Sequence, residues 1–441
     1  MIGLRAEMRL LAVDIKSSGI GFAGALLLPL MVTLLASGTS VSAASLGRPC
    51  CADLEDRIAE LEATAAKKGN RTVSLTVTGY IAKQVMFWDD GVERNAYVTD
   101  MGPTQASNFR FMGNAKIAAG WSSGYVVRIQ DLSSNPMALD QFTSVSGNGP
   151  NVQMTYWYLA SEEFGKISVG KNAMASKSVA MFTDLSGTQV IANYVLFDGN
   201  AFFLRQGGEL LKLRWGDFGY CYSQQRPWGG DCDGIVMNGV RYDSPTIAGV
   251  SVSASFGEDD DWEVAGRYQG EVGGFKVSLG VGYSVNTDQL IQPPAVSFHK
   301  DSSFFQAGGY LQHLSTGLFL HAIYGAEENH GAETIRGGLV EPDTHQWYLK
   351  GGIRRQWSPL GATIIYGEYG RYIDQLSPAA LNAGATGSEL SRWGLGAVQE
   401  IDGAALSIWA RYRGQDVEID GAQLQDIGSF HYLSVGSLIN F

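Results

Sequence analysis

The sequence predicts an all-β fold, a transmembrane antiparallel β-barrel of about sixteen strands formed by residues 73–441. Three observations predict it. Apolar and polar residues alternate with period two from Val73 to the C-terminus, short turns interleave with long polar loops, and the N-terminus has the order of an export signal. A barrel suits a lipid environment because it leaves no backbone donor or acceptor unpaired.

Composition agrees with many short strands and tight turns. The chain has 441 residues with 56 glycines, 11% aromatic and only 17% charged residues. Helical proteins favour Ala, Leu, Glu and Lys instead. The formal charge of −12 argues against a nucleic-acid partner, because phosphate binding needs a basic surface. No Pro-rich or charged linker divides the chain, so we expect one large architecture.

The N-terminus predicts a signal peptide over residues 1–43. Arg5, Arg9 and Lys16 precede a long uncharged stretch with an apolar centre, and the small residues Val41-Ser42-Ala43-Ala44 follow it. A basic segment, an apolar segment and a small-residue cleavage site are typical of secretory signals. An uncleaved anchor helix is the alternative. Export and a barrel together indicate the cell outer membrane, reached through the periplasm.

Residues 44–72 form a predicted N-terminal periplasmic segment with a short helix. Leu54, Ile58, Leu61 and Ala65 repeat at 4-3-4 spacing, which is a heptad seam about two repeats long. One interpretation is a coil that assembles protomers, and the other is an amphipathic helix that rests on the barrel. Two heptads are too few to be stable alone, so both interpretations stay open.

The first barrel strands show the alternation most clearly. In the segment 108–118, Phe109 and Ile117 share one face, whereas Arg110 and Lys116 share the other. The same pattern recurs at 125–130, 262–269 and 406–413. The last strand, 430–441, alternates and ends on an aromatic residue, Phe441, as expected of the signal that directs insertion into the outer membrane.

The connections alternate in length, as in outer-membrane barrels. Long polar loops are predicted near residues 89–106, 132–150, 286–301, 328–343, 374–387 and 415–426. One connection is far longer than these. Roughly sixty residues separate the fifth strand, Gly165 to Lys171, from the next, Ile235 to Asp243, and loops of such length are usually functional.

The four cysteines do not suggest a metal site. Cys221 and Cys232 could close a disulfide in a Gly-rich stretch, which would stabilise the fold by roughly 2–4 kcal/mol. Cys50 and Cys51 are adjacent and cannot easily pair with each other. No Cys/His spacing suggests zinc, and no nucleophile elbow is present. We therefore predict no catalytic, cofactor-binding or metal-binding residue.

Several segments resemble one family, the porins of alphaproteobacteria, especially those of rhizobia and their relatives. The segments that carry the resemblance are residues 51–64, 68–79, 240–246, 257–260 and 367–369, and the resemblance spans nearly the whole mature chain. It implies passive diffusion of small hydrophilic molecules and ions, a homotrimer, and a long loop folded into the barrel. The expected surroundings are membrane lipid and lipopolysaccharide.

Three alternatives to a general porin are a solute-selective channel, an outer-membrane barrel enzyme and a soluble secreted protein that binds carbohydrate. An enzyme would need a nucleophile with its base and orienting partner on neighbouring strands. None of the six histidines has a sequence context that nominates it as such a base. Periodicity alone does not separate a soluble β-protein from a membrane barrel.

The alternation also predicts which charged side chains face the lumen. Charges are costly against lipid, so the polar face of each strand should point inward. The two aspartates of the long connection could then face part of an arginine wall and create a transverse field. The predicted pore-lining residues are Arg110, Arg128, Arg241, Arg267, Arg354, Arg392 and Arg411 on strands, with Asp184 and Asp198 on the long connection.

Overall fold

The structure is a computed structural model that describes residues 72–221, 234, 236–258, 260–291, 298–330, 343–421 and 424–441. The predicted signal peptide, the heptad segment, Cys50, Cys51 and Cys232 lie outside these residues. In the described part of the chain, no helix is both long enough and apolar enough to span a membrane.

Within the described residues, seventeen strands form one sheet that closes on itself, with every pairing antiparallel. Strands of the sheet that follow each other in the chain pair with each other, except that the second and third both pair with the first, and the first pairs with the last. The strands are β1 (Ser74–Asp89), β2 (Arg94–Asp100), β3 (Ser107–Ala118), β4 (Trp121–Leu132), β5 (Asn148–Ser161), β6 (Gly165–Ala173), β9 (Val236–Asp243), β10 (Val250–Gly257), β11 (Trp262–Val272), β12 (Phe275–Ile291), β13 (Phe298–His313), β14 (Leu318–Asn329), β15 (Thr344–Ser358), β16 (Gly361–Ile373), β17 (Gly387–Ile401), β18 (Leu406–Asp420) and β19 (Phe430–Asn440). A separate hairpin, β7 (Phe203–Gln206) and β8 (Glu209–Arg214), lies between β6 and β9.

The barrel wall has sixteen strands, because β2 and β3 occupy successive heights along β1. Residues 83–89 of β1 pair with β2, and residues 74–80 pair with β3. The sequence predicts one loop over 89–106, whereas the structure has β2 and a 3-10 helix, Pro103–Gln105, within that range. Strand β2 pairs with the backbone groups of residues 83–89 of β1, which β3 does not reach.

The outer face of the barrel is apolar. Along β12, Leu279 and Val281 are about half exposed, whereas Ser278 and Ser284 on the opposite face are buried. Exposed apolar side chains recur on nearly every wall strand, including Phe109, Trp157, Val252, Leu320, Ile365, Leu395 and Ile439. Such a continuous apolar band on a closed barrel is suited to lipid rather than to water.

The connection between β6 and β9, residues 174–235, is called the long loop here. It follows the fifth wall strand, as the sequence predicts, and its described residues fold into the barrel, as the family resemblance implies. Its backbone lies directly on the inner wall at Gly308 of β13, where an added Cβ would stand 2.4 Å from the Ala180 carbonyl oxygen. Glycine is needed at this position because any side chain would displace the loop.

Two apolar clusters fill one side of the lumen. In the first, Met181, Ile191 and Phe197 of the long loop pack with the inner-wall residues Phe319 and Trp409. In the second, residues around the β7–β8 hairpin pack against the inner wall, β19 and a short helix, α1 (Pro378–Asn382); its members include Phe202, Leu204, Trp215, Met86, Trp88, Leu381 and Phe430. Burying each large apolar side chain contributes about 1.5–3 kcal/mol, so the loop is held mainly by apolar packing.

Candidate functional site

Arginines of the inner wall hold the backbone of the long loop. Five of the seven predicted pore-lining arginines donate to carbonyl oxygens of residues 173–195. Arg241 donates to Met174 at 3.1 Å, and Arg267 donates to Ala175 at 2.6 Å. The guanidinium group suits this task because it offers five donors in a rigid fork and no acceptor.

The remaining three of these arginines anchor the middle of the loop. Arg354 donates to the Ser186 carbonyl at 3.1 Å and forms an ion pair with Glu400. Arg392 and Arg411 are buried and donate to carbonyls of the loop segment 191–195. The loop therefore follows a wall of cations along several strands.

Asp184 makes an ion pair with the wall instead of facing it across an opening. Its carboxylate accepts from Lys350 of β15 at 2.6 Å, and both side chains are almost fully buried. Lys350 also donates to Thr188 Oγ1 and the Ala192 carbonyl. Burial alone would raise the pKa of the Asp184 carboxyl, but attraction to Lys350 and its hydrogen bonds lower that pKa below its ordinary value.

Asp198 occupies a second buried ion-pair site. Its carboxylate lies 2.7 Å from Arg411 and 3.4 Å from Arg413, and all three side chains are inaccessible to solvent. It also accepts from Gln84 and from the Tyr432 hydroxyl. With these four donors the Asp198 charge is compensated by the wall.

Sequence reasoning did not nominate Lys350, Arg413 or Glu368 for this site. Arg413 bridges Asp198 and Glu368, whose carboxylate also accepts from the Tyr348 hydroxyl at 2.5 Å. The alternation of polar and apolar residues along each strand would have identified Lys350 and Arg413 as inward-facing. Lys350 lies on the same face of β15 as Arg354, and Arg413 lies on the same face of β18 as Arg411.

Arg110 and Arg128 differ from the other predicted arginines. They are directly opposite each other on β3 and β4 and both keep part of their surface exposed. Neither lies within ion-pair distance of a carboxylate in the described part of the chain. Two neighbouring positive charges therefore remain uncompensated on this part of the inner wall.

The long loop reaches across the barrel. Ala180 donates to Gln306 of β13, and the next residue, Met181, lies 3.5 Å from Gln105 beside β3. These two places are eight wall strands apart in a barrel of sixteen, which puts them on opposite sides. The apolar clusters fill the side of β13 to β19 and β1, so the polar lumen that remains is bounded by β3 to β12.

Several basic side chains border this remaining lumen, and one of them, Arg241, forms an ion pair with Asp243 at 2.7 Å. Arg110, Arg128, Arg241 and Arg267 are all partly exposed, whereas Arg392, Arg411, Asp184 and Asp198 are buried between loop and wall. On the loop, Phe182 is 56% exposed and faces water. The charged groups thus comprise a buried set between loop and wall and a partly exposed set that water can reach.

The described residues show no grouping of three His, Cys, Asp or Glu side chains that could hold a metal ion. Cys221 is buried and disulfide-bonded. Because Cys232 lies outside the described residues, its pairing with Cys221 stays a prediction.

Comparison with known proteins agrees with this architecture. The family model of Gram-negative porins matches residues 32–413. Among solved structures, the chain is similar to an anion-selective porin from Comamonas acidovorans at 15% identity and a TM-score of 0.53, covering 84% of this chain and 100% of that one. It is also similar to the outer membrane channel DcaP of Acinetobacter baumannii, at 10% identity and a TM-score of 0.52 over 86% and 100% of the two chains.

A third similar structure is the trimer form of OmpT, an outer membrane protein of Vibrio cholerae, at 13% identity and a TM-score of 0.50 over 84% of this chain and 100% of that one. No curated protein matches the chain in sequence. The likeness to solved structures identifies the fold, and the family model covers most of the sequence. The chain belongs to the Gram-negative porin family.

Proposed function

We propose that this porin is a passive diffusion channel for small hydrophilic solutes and ions in the outer membrane. The observation that carries the proposal is the long loop, which crosses the lumen and leaves a polar opening between β3 and β12. Barrels of about sixteen strands enclose an aqueous channel, and an inward loop narrows it. Transport through such an opening is diffusion, so no residue has a catalytic role in the proposal.

The exposed charges favour passage of anions over cations, so the channel is proposed to be anion-selective. Asp184 and Asp198 are neutralised by wall cations, whereas Arg110 and Arg128 have no carboxylate partner. A ring or wall of arginines attracts anions and repels cations at a constriction. The relative from Comamonas acidovorans is itself called anion-selective. The remaining lumen of this chain has the charges that such selectivity requires.

The assembly is proposed to be a homotrimer in contact with lipid and lipopolysaccharide, in which the outer face of β1 lies at a subunit contact. Lys83 lies on the same outer face as the apolar residues Ile81 and Phe87. It forms ion pairs with Asp100 and Asp131, so this face carries charged groups where lipid would require apolar ones. A charge against lipid at the midplane costs about 2–4 kcal/mol. A protein neighbour would remove that cost.

The remaining parts of the proposal concern origin and processing. Residues 1–43 are removed as a signal peptide, the 44–72 segment stays in the periplasm, and the chain is of the alphaproteobacterial type. The basic and apolar order of the N-terminus supports removal of the signal peptide. The resemblance of residues 51–64 and 68–79 to alphaproteobacterial porins supports the periplasmic segment and the type of the chain.

Replacing Arg110 and Arg128 by Ser tests the function directly. We expect the double variant to shift the reversal potential toward cations and to increase conductance, because two positive charges and much side-chain volume leave the lumen. The measurement is single-channel recording in a planar bilayer under a KCl gradient.

The matched control replaces Arg355 and Arg371, which occupy exposed positions of β15 and β16, by Ser. It removes the same charge and should leave the reversal potential unchanged. An unchanged potential in both variants would show that Arg110 and Arg128 do not border the pore. Absence of any conductance from inserted wild-type protein would contradict the channel itself.

A further inference from the structure

A second group of buried polar side chains lies at the rim where the long loop enters the barrel. It is called the rim cluster here and comprises Asp261, Glu263, Asn286, Ser176 and Ser302. Asp261 precedes β11, Glu263 lies near the start of β11, and Asn286 of β12 donates to Asp261 at 3.3 Å. The two acids and Asn286 are at most 5% exposed.

No basic side chain pairs with the two carboxylates of the rim cluster. Among the described residues, the ion pairs include neither Asp261 nor Glu263. Lys177 and Arg267 lie near enough to act on the Glu263 charge, but their groups donate elsewhere. Lys177 donates to the Gly234 carbonyl at 3.1 Å, and Arg267 donates to Ser253 and Ala175.

The cluster also contains oxygen atoms that accept nothing. Glu263 uses one carboxylate oxygen to accept from the Ser176 backbone at 2.6 Å, and Asp261 uses one for Asn286. The other oxygen of each carboxylate, the Asn286 amide oxygen and the Ser302 hydroxyl are buried without a hydrogen-bond partner, whereas the Ser176 hydroxyl interacts with Glu263. Buried polar atoms are normally satisfied, so four such oxygens from one neighbourhood require an explanation.

Backbone pairing brings these oxygens together. Strand β11 pairs with β12 in the register Glu263 to Ser284, and β12 pairs with β13 in the register Asn286 to Ser302. Ser176 is joined to the same place by its hydrogen bond to Glu263. The oxygen atoms of the rim cluster therefore come from the long loop and from three consecutive strands, β11 to β13, or their ends.

We propose that the rim cluster binds one divalent cation, with Ca²⁺ as the best match. All the candidate ligands are oxygen atoms, which hard cations prefer over nitrogen and sulfur. Two carboxylates would balance a charge of +2. Ca²⁺ accepts six to eight oxygens in flexible geometry, whereas Mg²⁺ demands a near-ideal octahedron, and a mixed set from separate segments fits the former.

The bound ion would fasten the start of the long loop to the wall. Ser176 lies three residues after the end of β6. Without a cation, burial raises the pKa of Asp261 to about 6, so the carboxyl is held in an environment that disfavours its charge. A divalent ion reverses that preference, since it interacts directly with the ionised form.

The first test measures Ca²⁺ binding to the purified full chain in detergent after removal of metal by a chelator. We expect about one Ca²⁺ per chain by equilibrium dialysis, and a midpoint of thermal unfolding that rises with each tenfold increase in Ca²⁺, because a ligand of the folded state stabilises it by mass action. Absence of saturable binding by wild-type protein at millimolar Ca²⁺ would overturn the proposal.

Isosteric variants then locate the site. Asp261→Asn with Glu263→Gln removes both charges and should abolish the binding and the Ca²⁺-dependent rise in the midpoint. In chelator alone this variant should unfold at a higher temperature than wild type, because neutral amides replace two buried carboxyl groups that lack a cationic partner.

The matched control is Glu258→Gln with Asp260→Asn on the same turn. Both residues are exposed, and Asp260 has a φ of 56°, which Asn also adopts. This control should bind Ca²⁺ as wild type does. Equal binding by wild type and the Asp261 and Glu263 variant would place the ion elsewhere and overturn the proposal; if that variant does not fold, loss of binding in Glu263→Gln alone supports it and retention overturns it.

Discussion

Lys350 shows how one buried charge can fix the position of a loop. Its ammonium group has three donors, and all three are used by the long loop, at Asp184, Thr188 and the Ala192 carbonyl. A buried ion pair gains little net stability over apolar packing, but removal of one partner leaves a charge without compensation. The pair therefore specifies where the loop lies more than how stable the barrel is.

A double-mutant cycle at this pair separates the two effects. Asp184→Asn alone should lower the free energy of unfolding by about 3–5 kcal/mol because Lys350 stays charged and buried. Adding Lys350→Met should restore much of that loss, since the stranded charge is gone. Denaturant unfolding in detergent gives the four free energies.

The comparison for this cycle is the exposed pair of Arg371 and Glu389. Removing either partner there should change stability little, because water solvates the charge that remains. Equal losses at the buried and exposed pairs would contradict the anchoring role of Lys350.

The sequence predicts the facing of single residues well but not their partners. Period two identifies Arg392 and Arg411 as inward, and both contact the long loop. It does not predict that Arg411 pairs with Asp198 or that Lys350 pairs with Asp184, because those contacts depend on the path of an irregular loop. Irregular backbone has no periodicity from which side-chain directions follow.

At the scale of elements, the long loop lies against a glycine surface. An added Cβ would stand 2.6 Å from the Val179 carbonyl at Gly280, and 2.4 Å from the Ala180 carbonyl at Gly308. Both contacts are with backbone, which cannot rotate away as a side chain does. Strands β12 and β13 thus receive the 3-10 helix Met181–Thr183 at close range because they carry no side chain at these positions.

Gly308→Ala tests this arrangement. The new methyl group should push the loop backbone from the wall, weaken its packing on the first apolar cluster and lower the midpoint of thermal unfolding by several degrees. The fluctuations of single-channel current should increase, because the loop would be less firmly held. Calorimetry in detergent and bilayer recording measure the two effects.

The control for this prediction is the neighbouring glycine of β13. Gly309 lies on the other face, where an added Cβ would meet only the end of the Leu279 side chain at 3.3 Å. Gly309→Ala should leave both measurements near those of wild type. A Gly308→Ala protein that also behaves as wild type would show that the loop does not depend on this contact.

Element boundaries were predictable wherever alternation is regular. The fifth wall strand, predicted to start at Gly165, is observed as β6 from Gly165. Strand β2 was missed because it is only seven residues long and pairs with half of β1. The β7–β8 hairpin was missed because its strands belong to no wall and are short.

At the scale of the whole molecule, the outer face of β1 interrupts the apolar band with a charged side chain, Lys83. Asp100 and Asp131, on β2 and β4, both pair with Lys83, and the Lys83 side chain is 39% exposed. The architecture itself was predictable, because closure and strand number follow from the repeat of strands and turns. Subunit contacts were not predictable from the sequence, because the alternation places residues that face lipid and residues that face another subunit on the same outer face.

The last prediction concerns this face and the mature chain together. Native mass measurement in mild detergent should give a trimer whose chains each begin near residue 44, because signal peptides are removed on export. Lys83→Glu should shift the protein toward monomers, since the new carboxylate would face Asp100 and Asp131 within a subunit contact and like charges repel. Lys276→Glu reverses the same charge on β12, eight wall strands away, and should leave the trimer intact. Trimers of equal stability in both variants would place the subunit contact away from Lys83, and monomers alone in the wild type would contradict the trimeric assembly.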